Sequence, residues 1–144
     1  MALVIHLKKG GQVIVNGAVL ENASSRPISL MIKNEAAILR GEDILAPEAA
    51  ATPATRIYYA LQCAYLFGDR RGDYLQDFFR LLDDYLQAAP SSLAIVAEIQ
   101  AIIEPDNLYT ALKKARALIE HEGKVLTHVQ ERLVEELQDD PAAR

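Results

Sequence analysis

The sequence lacks several features that would assign it to a particular class of protein. It has a single cysteine, Cys63, so no internal disulfide can form and no oxidising compartment is required. No apolar run approaches the roughly 18 residues needed to span a bilayer. The apolar stretch near the start has no basic region ahead of it, so we expect no signal peptide. These absences predict a soluble, cytoplasmic protein with no membrane partner.

The residues that are present can form a folded core, and their charge is unevenly distributed. Of the 144 residues, 51% are hydrophobic, and the formal net charge is −5. Up to Arg40 there are five basic and two acidic residues, which gives +3; the remainder has ten basic and eighteen acidic residues, which gives −8. The acidic balance argues against general binding to nucleic-acid phosphates, but the basic first part weakens that argument.

Residues 2–45 have the pattern of short strands separated by turns. Asn16-Gly17 lies between two apolar runs, the strongest local signal for a β-hairpin, because a type I′ turn needs positive φ at both central residues. The predicted strands are 2–7, 12–15, 18–21, 28–33 and 36–40. They indicate a small antiparallel sheet or barrel that needs something to pack against.

The rest of the chain has helical periodicity. Thr52-Pro53 marks a helix start, and the apolar segment that follows predicts a central, buried helix. A second helix, 73–89, has an amphipathic stripe that includes Phe78 and Phe79. A third follows Ser91-Ser92. Its predicted stripe is Leu93, Val96, Ile99 and Ile103.

A fourth segment has apolar residues every three or four positions across Gly123. The pattern predicts either one helix over 107–138, about 45 Å long, or two helices that meet at a kink. Such a helix is longer than a small domain can cover, so we expect its end to contact a partner or a second copy. The candidate interface residues are Leu126, Val129, Leu133 and Leu137.

Strands followed by helices predict an α+β fold with an N-terminal small antiparallel sheet or barrel and a C-terminal bundle of four to five helices. The predicted domains are a β domain over 1–45, which is a candidate for RNA contact or dimerisation, a connector over 46–52 and a helical bundle over 53–138. Residues 139–144 are predicted to be a loose tail.

The sequence has no recognisable catalytic or cofactor-binding motif. His121 and His128 are separated by about 10 Å on an ideal helix, too far for one metal ion, and are predicted to be polar surface residues. Apolar neighbours are expected to raise the pKa of Cys63, which argues against a nucleophile. The tyrosines are predicted to pack in or around the core. We therefore expect no enzymatic activity, no cofactor and no metal.

Basic residues in the first part are the candidates for contact with RNA phosphates, although ordinary surface charge is the alternative interpretation. Arg56 lies in the first turn of a helix, where it opposes the helix dipole, so a carboxylate partner or a ligand is expected beside it. The candidates are Lys8, Lys9, Arg26, Lys33, Arg40 and Arg56.

Segments spread over nearly the whole chain, from about residue 3 to 130, resemble the flagellar biosynthesis repressor FlbT family. The order and spacing of these segments make chance agreement improbable. They are Leu7-Lys8-Lys9-Gly10, Ile14-Val15-Asn16-Gly17-Ala18-Val19-Leu20-Glu21-Asn22, Ala37-Ile38-Leu39-Arg40, Asp43-Ile44-Leu45, Thr52-Pro53-Ala54-Thr55-Arg56-Ile57-Tyr58, Tyr65-Leu66-Phe67-Gly68-Asp69, Ala88-Ala89-Pro90-Ser91 and Leu108-Tyr109-x-Ala111-Leu112-Lys113-x-Ala115-Arg116-x-Leu118-Ile119.

The resemblance implies a post-transcriptional regulator of flagellum assembly. Proteins of this family associate with the 5′ untranslated region of flagellin mRNA and affect its translation and decay. The expected protein partner is the small regulator FlaF. The resemblance transfers no catalytic or RNA-binding residue.

Residues 38–44, Ile-Leu-Arg-Gly-Glu-Asp-Ile, also resemble a Val-His-Arg-Glu-Glu-Ile stretch in the carbon storage regulator CsrA, although Gly41 is an extra residue. In CsrA the arginine contacts RNA and the strands interleave in a dimer. This resemblance implies a role for Arg40 and the Lys8-Lys9 turn in RNA contact and a homodimer through the strands. The alternative function is a helical adaptor or chaperone-like protein that binds flagellin, FlaF or an export component and affects mRNA indirectly.

Overall fold

A computed structural model describes residues 3–139, and its elements follow the predicted order. Five strands precede four α-helices, which confirms the α+β fold with small antiparallel sheets at its N-terminal end. The elements are β1 (Leu3–Leu7), β2 (Gln12–Val15), β3 (Ala18–Glu21), β4 (Ile28–Ile32), β5 (Ile38–Arg40), α1 (Pro53–Leu66), α2 (Arg71–Ala88), α3 (Leu93–Ile102) and α4 (Leu108–Asp139).

The strands form two small antiparallel sheets. One pairs β1 with β4, with Leu3 opposite Ile32 and Leu7 opposite Ile28. The other has the order β3-β2-β5, and both neighbours of β2 are antiparallel to it. Inward-facing residues of the sheets form one apolar cluster because alternate side chains of a strand point to the same face. Its members are Ile5, Leu7, Val13, Val15, Ile28, Leu30, Ile32 and Ile38.

The predicted hairpin turn is present at Asn16-Gly17. Both residues have positive φ, 51° and 88°, as a type I′ turn requires. The Asn16 amide donates to the Ala37 carbonyl, and the Ala37 amide donates to Asn16 Oδ1, each over 2.8 Å. The hairpin is therefore joined to the segment that leads into β5.

Helix α1 begins at the predicted position because Thr52 and Thr55 form a capping box and Pro53 occupies the first turn. Side chains on one face of α1 form hydrogen bonds with the backbone of β5 and of the segment that follows β5. The Tyr58 hydroxyl donates to the Asp43 carbonyl over 2.6 Å, and Gln62 bonds both backbone groups of Leu45. The Tyr65 hydroxyl bonds both backbone groups of Ile38. These hydrogen bonds join α1 to β5 and to the segment that follows it.

The chain divides into two compact units, one ending at Leu81 and the other beginning at Leu82. The first contains both sheets, α1 and the first part of α2, so α1 groups with the strands. The second contains the end of α2, α3 and α4. The predicted domain limits at residues 45 and 53 stay predictions.

In the second unit, α3 packs on α4, and His121 bonds residues that precede α3. His121 Nδ1 lies 2.8 Å from the Tyr85 hydroxyl, and Nε2 lies 2.9 Å from Ser91 Oγ. His121 is partly buried, so the prediction of a surface role was wrong for it, whereas His128 is exposed. The partners of His121 lie 30 and 36 positions away in the chain, a separation that local periodicity does not reveal.

Two predicted stripe residues of α2 and α3 are exposed. Leu93 is 60% exposed and Phe79 is 45% exposed, although Val96, Ile99 and Phe78 are fully buried. Leu93 is the first residue of α3, and Phe79 directly follows the buried residue Phe78 in α2. Helical spacing predicts which direction a residue faces, but not whether anything covers it.

Helix α4 is continuous through Gly123, which settles the choice between one helix and two. Its first part is buried at Leu108, Leu112 and Leu118, and all described side chains from Gly123 to Gln138 are exposed. Asp139 is the last residue of the helix, so the predicted loose tail does not begin at residue 139. The other residues of that predicted tail, 140–144, lie outside the described residues. Within residues 3–139, no helix is both long and apolar enough to cross a membrane.

Replacing Gly17 with alanine is expected to destabilise the protein by at least about 1–2 kcal/mol, because positive φ is unfavourable for alanine. A Cβ there would also lie 2.5 Å from Phe67 Cε1. Gly123→Ala is the matched control: it faces open space in a helix and is expected to stabilise by up to about 1 kcal/mol. Denaturant unfolding of both variants measures these changes in stability. Equal effects at the two glycines would contradict the assignment of Gly17 to a turn position with positive φ.

Candidate nucleic-acid interface

The side chain of Asn22 holds two basic turns together. Its Nδ2 donates to the carbonyls of Leu7, Lys8 and Arg26, over 3.0, 3.2 and 2.8 Å. Its Oδ1 accepts from the amide and hydroxyl of Ser24. Asn22 is only 3% exposed, so these bonds replace those that water would otherwise make. The result is a fixed spacing between the Lys8-Lys9 turn and the Arg26 loop.

The Lys8-Lys9 turn is rigid for a second reason. The Gly11 amide donates to the Lys8 carbonyl over 2.8 Å, and Gly10 has a φ of 73°, which is the geometry of a type II turn. The Gly10 amide also donates to the Asn22 carbonyl over 3.0 Å. Both lysine side chains are exposed at this turn and available for contact with a ligand.

Arg40 lies at the same end of the strands. It is paired with Val13, near the start of β2, and the Lys8-Lys9 turn directly precedes that strand. From strand spacings, the Cα atoms of Lys9 and Arg40 are less than about 20 Å apart. We call Lys8, Lys9, Arg26 and Arg40 the basic end. Glu21, at the end of β3, and Glu42, in the 3-10 turn that directly follows β5, lie at the same end, so its excess of positive charge is small.

The other two predicted contact residues lie elsewhere. Lys33 directly follows β4, at the end of the β1–β4 pair opposite Arg26. Arg56 is on the face of α1 opposite Tyr58, Gln62 and Tyr65, because successive helix residues are about 100° apart. The structure therefore unites four of the six candidates and separates Lys33 and Arg56 from them.

Arg56 instead lines a cleft between α1 and the first part of α2. The cleft has a volume of about 500 Å³, and its lining includes Tyr59, Tyr74, Asp77 and Arg80. A carboxylate partner or a ligand was expected beside Arg56, and no ion pair joins Arg56 to any residue within 3–139, so the ligand stays a prediction. Sequence spacing did not reveal this site, since its two helices meet only in the folded chain.

Two further ionisable side chains in the described part of the chain, Cys63 and Tyr85, are buried. Burial raises the pKa of the Cys63 thiol, as its apolar neighbours predicted, although a hydrogen bond with Tyr59 acts in the opposite direction. Burial also raises the pKa of Tyr85, with a smaller contribution from Glu122. Residues 3–139 contain no cluster of three or more His, Cys, Asp or Glu residues able to hold a metal ion.

The predicted interface residues of α4 form an exposed apolar stripe. Leu126, Val129, Leu133 and Leu137 have exposed fractions of 52, 47, 53 and 62%. Helical spacing places them on one side of the helix. They stay a predicted interface.

Comparison with known proteins agrees with the resemblance drawn from the sequence. The family model described as flagellar protein FlbT matches residues 3–126. The chain belongs to the FlbT family. Within residues 3–126 lie all five strands, the basic end and the cleft. No solved structure matches the chain.

Relatives in several bacteria match almost the full length of the chain. The probable flagellum biosynthesis repressor protein FlbT 1 of Bradyrhizobium diazoefficiens is 39% identical over 125 residues, covering 87% of this chain and 85% of the relative. The flagellum biosynthesis repressor protein FlbT of Caulobacter vibrioides is 32% identical over 131 residues, covering 90% and 92%. A probable FlbT repressor of Rhodopseudomonas palustris is 32% identical over 127 residues, covering 88% and 99%.

Asn22→Ala is expected to destabilise the FlbT-family fold by about 1–3 kcal/mol, because it leaves three carbonyls without their shared donor. Asn34→Ala is the matched control, since Asn34 is an exposed turn residue and its loss is expected to cost less than about 0.5 kcal/mol. Thermal and denaturant unfolding measure both. Equal stability of the two variants would show that Asn22 does not hold the basic turns.

Proposed function

We propose that this protein is a post-transcriptional regulator of flagellum biogenesis that binds the 5′ untranslated region of flagellin mRNA and affects its translation and degradation. Family membership and the names of the relatives, which are flagellum biosynthesis repressors, support the biological process. The observation that best supports RNA contact is the basic end, where Asn22 fixes the two turns that carry Lys8, Lys9 and Arg26.

The net charge limits how such contact works. A chain with a net charge of −5 is not attracted to RNA as a whole, so binding depends on a few placed cations. Four phosphate contacts to a single strand correspond to a slope of about −3 in a plot of log affinity against log salt concentration. The protein acts in the cytoplasm and without catalysis in this proposal. FlaF is its opposing protein partner, and pairing of the strands with a second copy would double the number of cations.

Substitution of the basic end is expected to weaken binding to flagellin leader RNA. Lys8→Ala/Lys9→Ala and Arg26→Ala/Arg40→Ala should each reduce the affinity about tenfold and make the salt slope shallower by about 1–2, because each pair removes two phosphate contacts. Gel shifts over a range of salt concentrations measure both effects, with an unrelated RNA as the specificity control.

Lys33→Ala is the matched control variant, because it removes one exposed cation from the opposite end of the β1–β4 pair. Its affinity should remain within about twofold of the wild type. Wild-type binding that is no tighter to leader RNA than to the unrelated RNA would contradict the proposed function. Equal losses in all variants would contradict the location of the site.

A second candidate function is an adaptor that binds flagellin, FlaF or an export component through α4. The exposed stripe of Leu126, Val129, Leu133 and Leu137 favours it, because four large apolar side chains on one helix side have no cover within the described residues of their unit. In this case the effect on mRNA would be indirect.

Truncation after Glu122 tests the adaptor function without removing the buried part of α4, which includes Leu108, Leu112 and Leu118. The truncated protein should fold, lose capture of purified FlaF or flagellin and retain its RNA affinity. Leu126→Ser/Leu133→Ser should reproduce the loss, whereas the polar control Thr127→Ser/Gln130→Ser should not. Unchanged capture and unchanged oligomeric state in the truncated protein would exclude an interface on this stripe.

A further inference from the structure

The cleft beside Arg56 lies wholly in the first unit and contains side chains that the basic end does not use. Arg56 and Tyr59 come from α1, and Tyr74 and Arg80 come from α2. Cys63 also lines the cleft and is 5% exposed. At about 500 Å³ the cleft is within the range of small-molecule sites in proteins.

The two arginines make the cleft suited to an anion. Arg56 has no ion-pair partner within residues 3–139, and it lies near the positive end of the α1 dipole, where a cation is unfavourable. Arg80 is 3.7 Å from Asp77, but both side chains are about 60% exposed, and such pairs are weak. An anion between the two guanidinium groups would relieve the unfavourable position of Arg56.

The aromatic residues make the same cleft suited to a flat ring. Tyr59 and Tyr74 both line it. The Arg70 guanidinium lies 5.3 Å from the centre of the Tyr74 ring, and the centres of the Phe67 and Tyr74 rings are 6.1 Å apart. These two neighbours hold Tyr74 in place. Burial raises the pKa of the Tyr59 hydroxyl and of the Cys63 thiol, so neither group adds a negative charge that would repel an anion at neutral pH.

We propose that this cleft binds one nucleotide, with its phosphate between Arg56 and Arg80 and its base against Tyr59 and Tyr74. Guanidinium groups match the geometry of phosphate oxygens, and tyrosine rings stack on bases of any sequence. The site rests on the proposed function in so far as leader RNA is the expected source of the nucleotide. A free nucleotide has the same chemistry and is the second source.

Calorimetric titration of the full-length protein with AMP, adenosine and inorganic phosphate tests the site. AMP should bind more tightly than either fragment, because only AMP has both the phosphate and the base. Arg56→Gln/Arg80→Gln should weaken AMP binding about tenfold or more, and Tyr74→Leu about fivefold or more, through loss of phosphate and stacking contacts respectively. Lys33→Gln is the matched control, since it removes a cation outside the cleft and should bind AMP as the wild type does.

The same variants, checked for unchanged thermal stability, are then assayed with leader RNA. Weaker RNA binding in Arg56→Gln/Arg80→Gln than in Lys33→Gln identifies RNA as the source, and loss of AMP binding with unchanged RNA affinity identifies free nucleotide. The proposal is overturned if the arginine substitutions change neither AMP nor RNA affinity, or if adenosine or phosphate alone binds as tightly as AMP. Failure of the wild type to prefer leader RNA would overturn the proposed function but not AMP binding in the cleft.

Discussion

The strand region depends on the hydrogen bonds that one face of α1 makes to the backbone of residues 38–45. An isolated two-stranded sheet such as the β1–β4 pair is at best marginally stable in water. Tyr58, Gln62 and Tyr65 join α1 to this region, because their polar ends satisfy backbone groups of Asp43, Leu45 and Ile38. In residues 3–139 no buried side-chain polar atom lacks a partner, which shows how completely such groups are satisfied. With β5 held in this way, Val13 and the rest of β2 have a fixed neighbour, and the turn that precedes β2 has a fixed position.

Local signals in the sequence were enough to predict most of the elements. The Asn16-Gly17 turn and the Thr52-Pro53 helix start are determined by the conformational preferences of a few adjacent residues, and the structure has both. The continuous apolar phase of α4 across Gly123 was also visible, but the choice between a straight helix and a kink was not. Glycine costs only about 1 kcal/mol in a helix, which neighbouring residues can offset.

Features that depend on distant pairs could not be predicted. Asn22 bonds carbonyls 14 and 15 positions earlier in the chain, so its spacing to them shows no periodicity. The grouping of Arg40 with Lys8 and Lys9, and the separation of Lys33, follow from strand register, which the sequence left open. Arg56 was correctly recognised as an unfavourably placed cation, but its neighbours Tyr74 and Arg80 belong to another helix. The expectation for Arg56 was a carboxylate partner or a ligand, and it named no residue, because helix-dipole reasoning identifies an unbalanced charge without identifying what balances it.

In the proposed function, the two faces of α1 have separate roles in the contact between an acidic protein and an anion. One face fixes the strands, and through them the spacing of the turns that present Lys8, Lys9 and Arg26. The other face contributes Arg56 and Tyr59 to a cleft in which the only acidic lining residue, among those described, is Asp77. Because the net charge of −5 opposes non-specific attraction, an anion is retained only where several of these groups reach it together. In the proposed RNA contact, fixed geometry would take the place of excess positive charge, an arrangement that favours recognition of particular RNA shapes over binding to RNA in general.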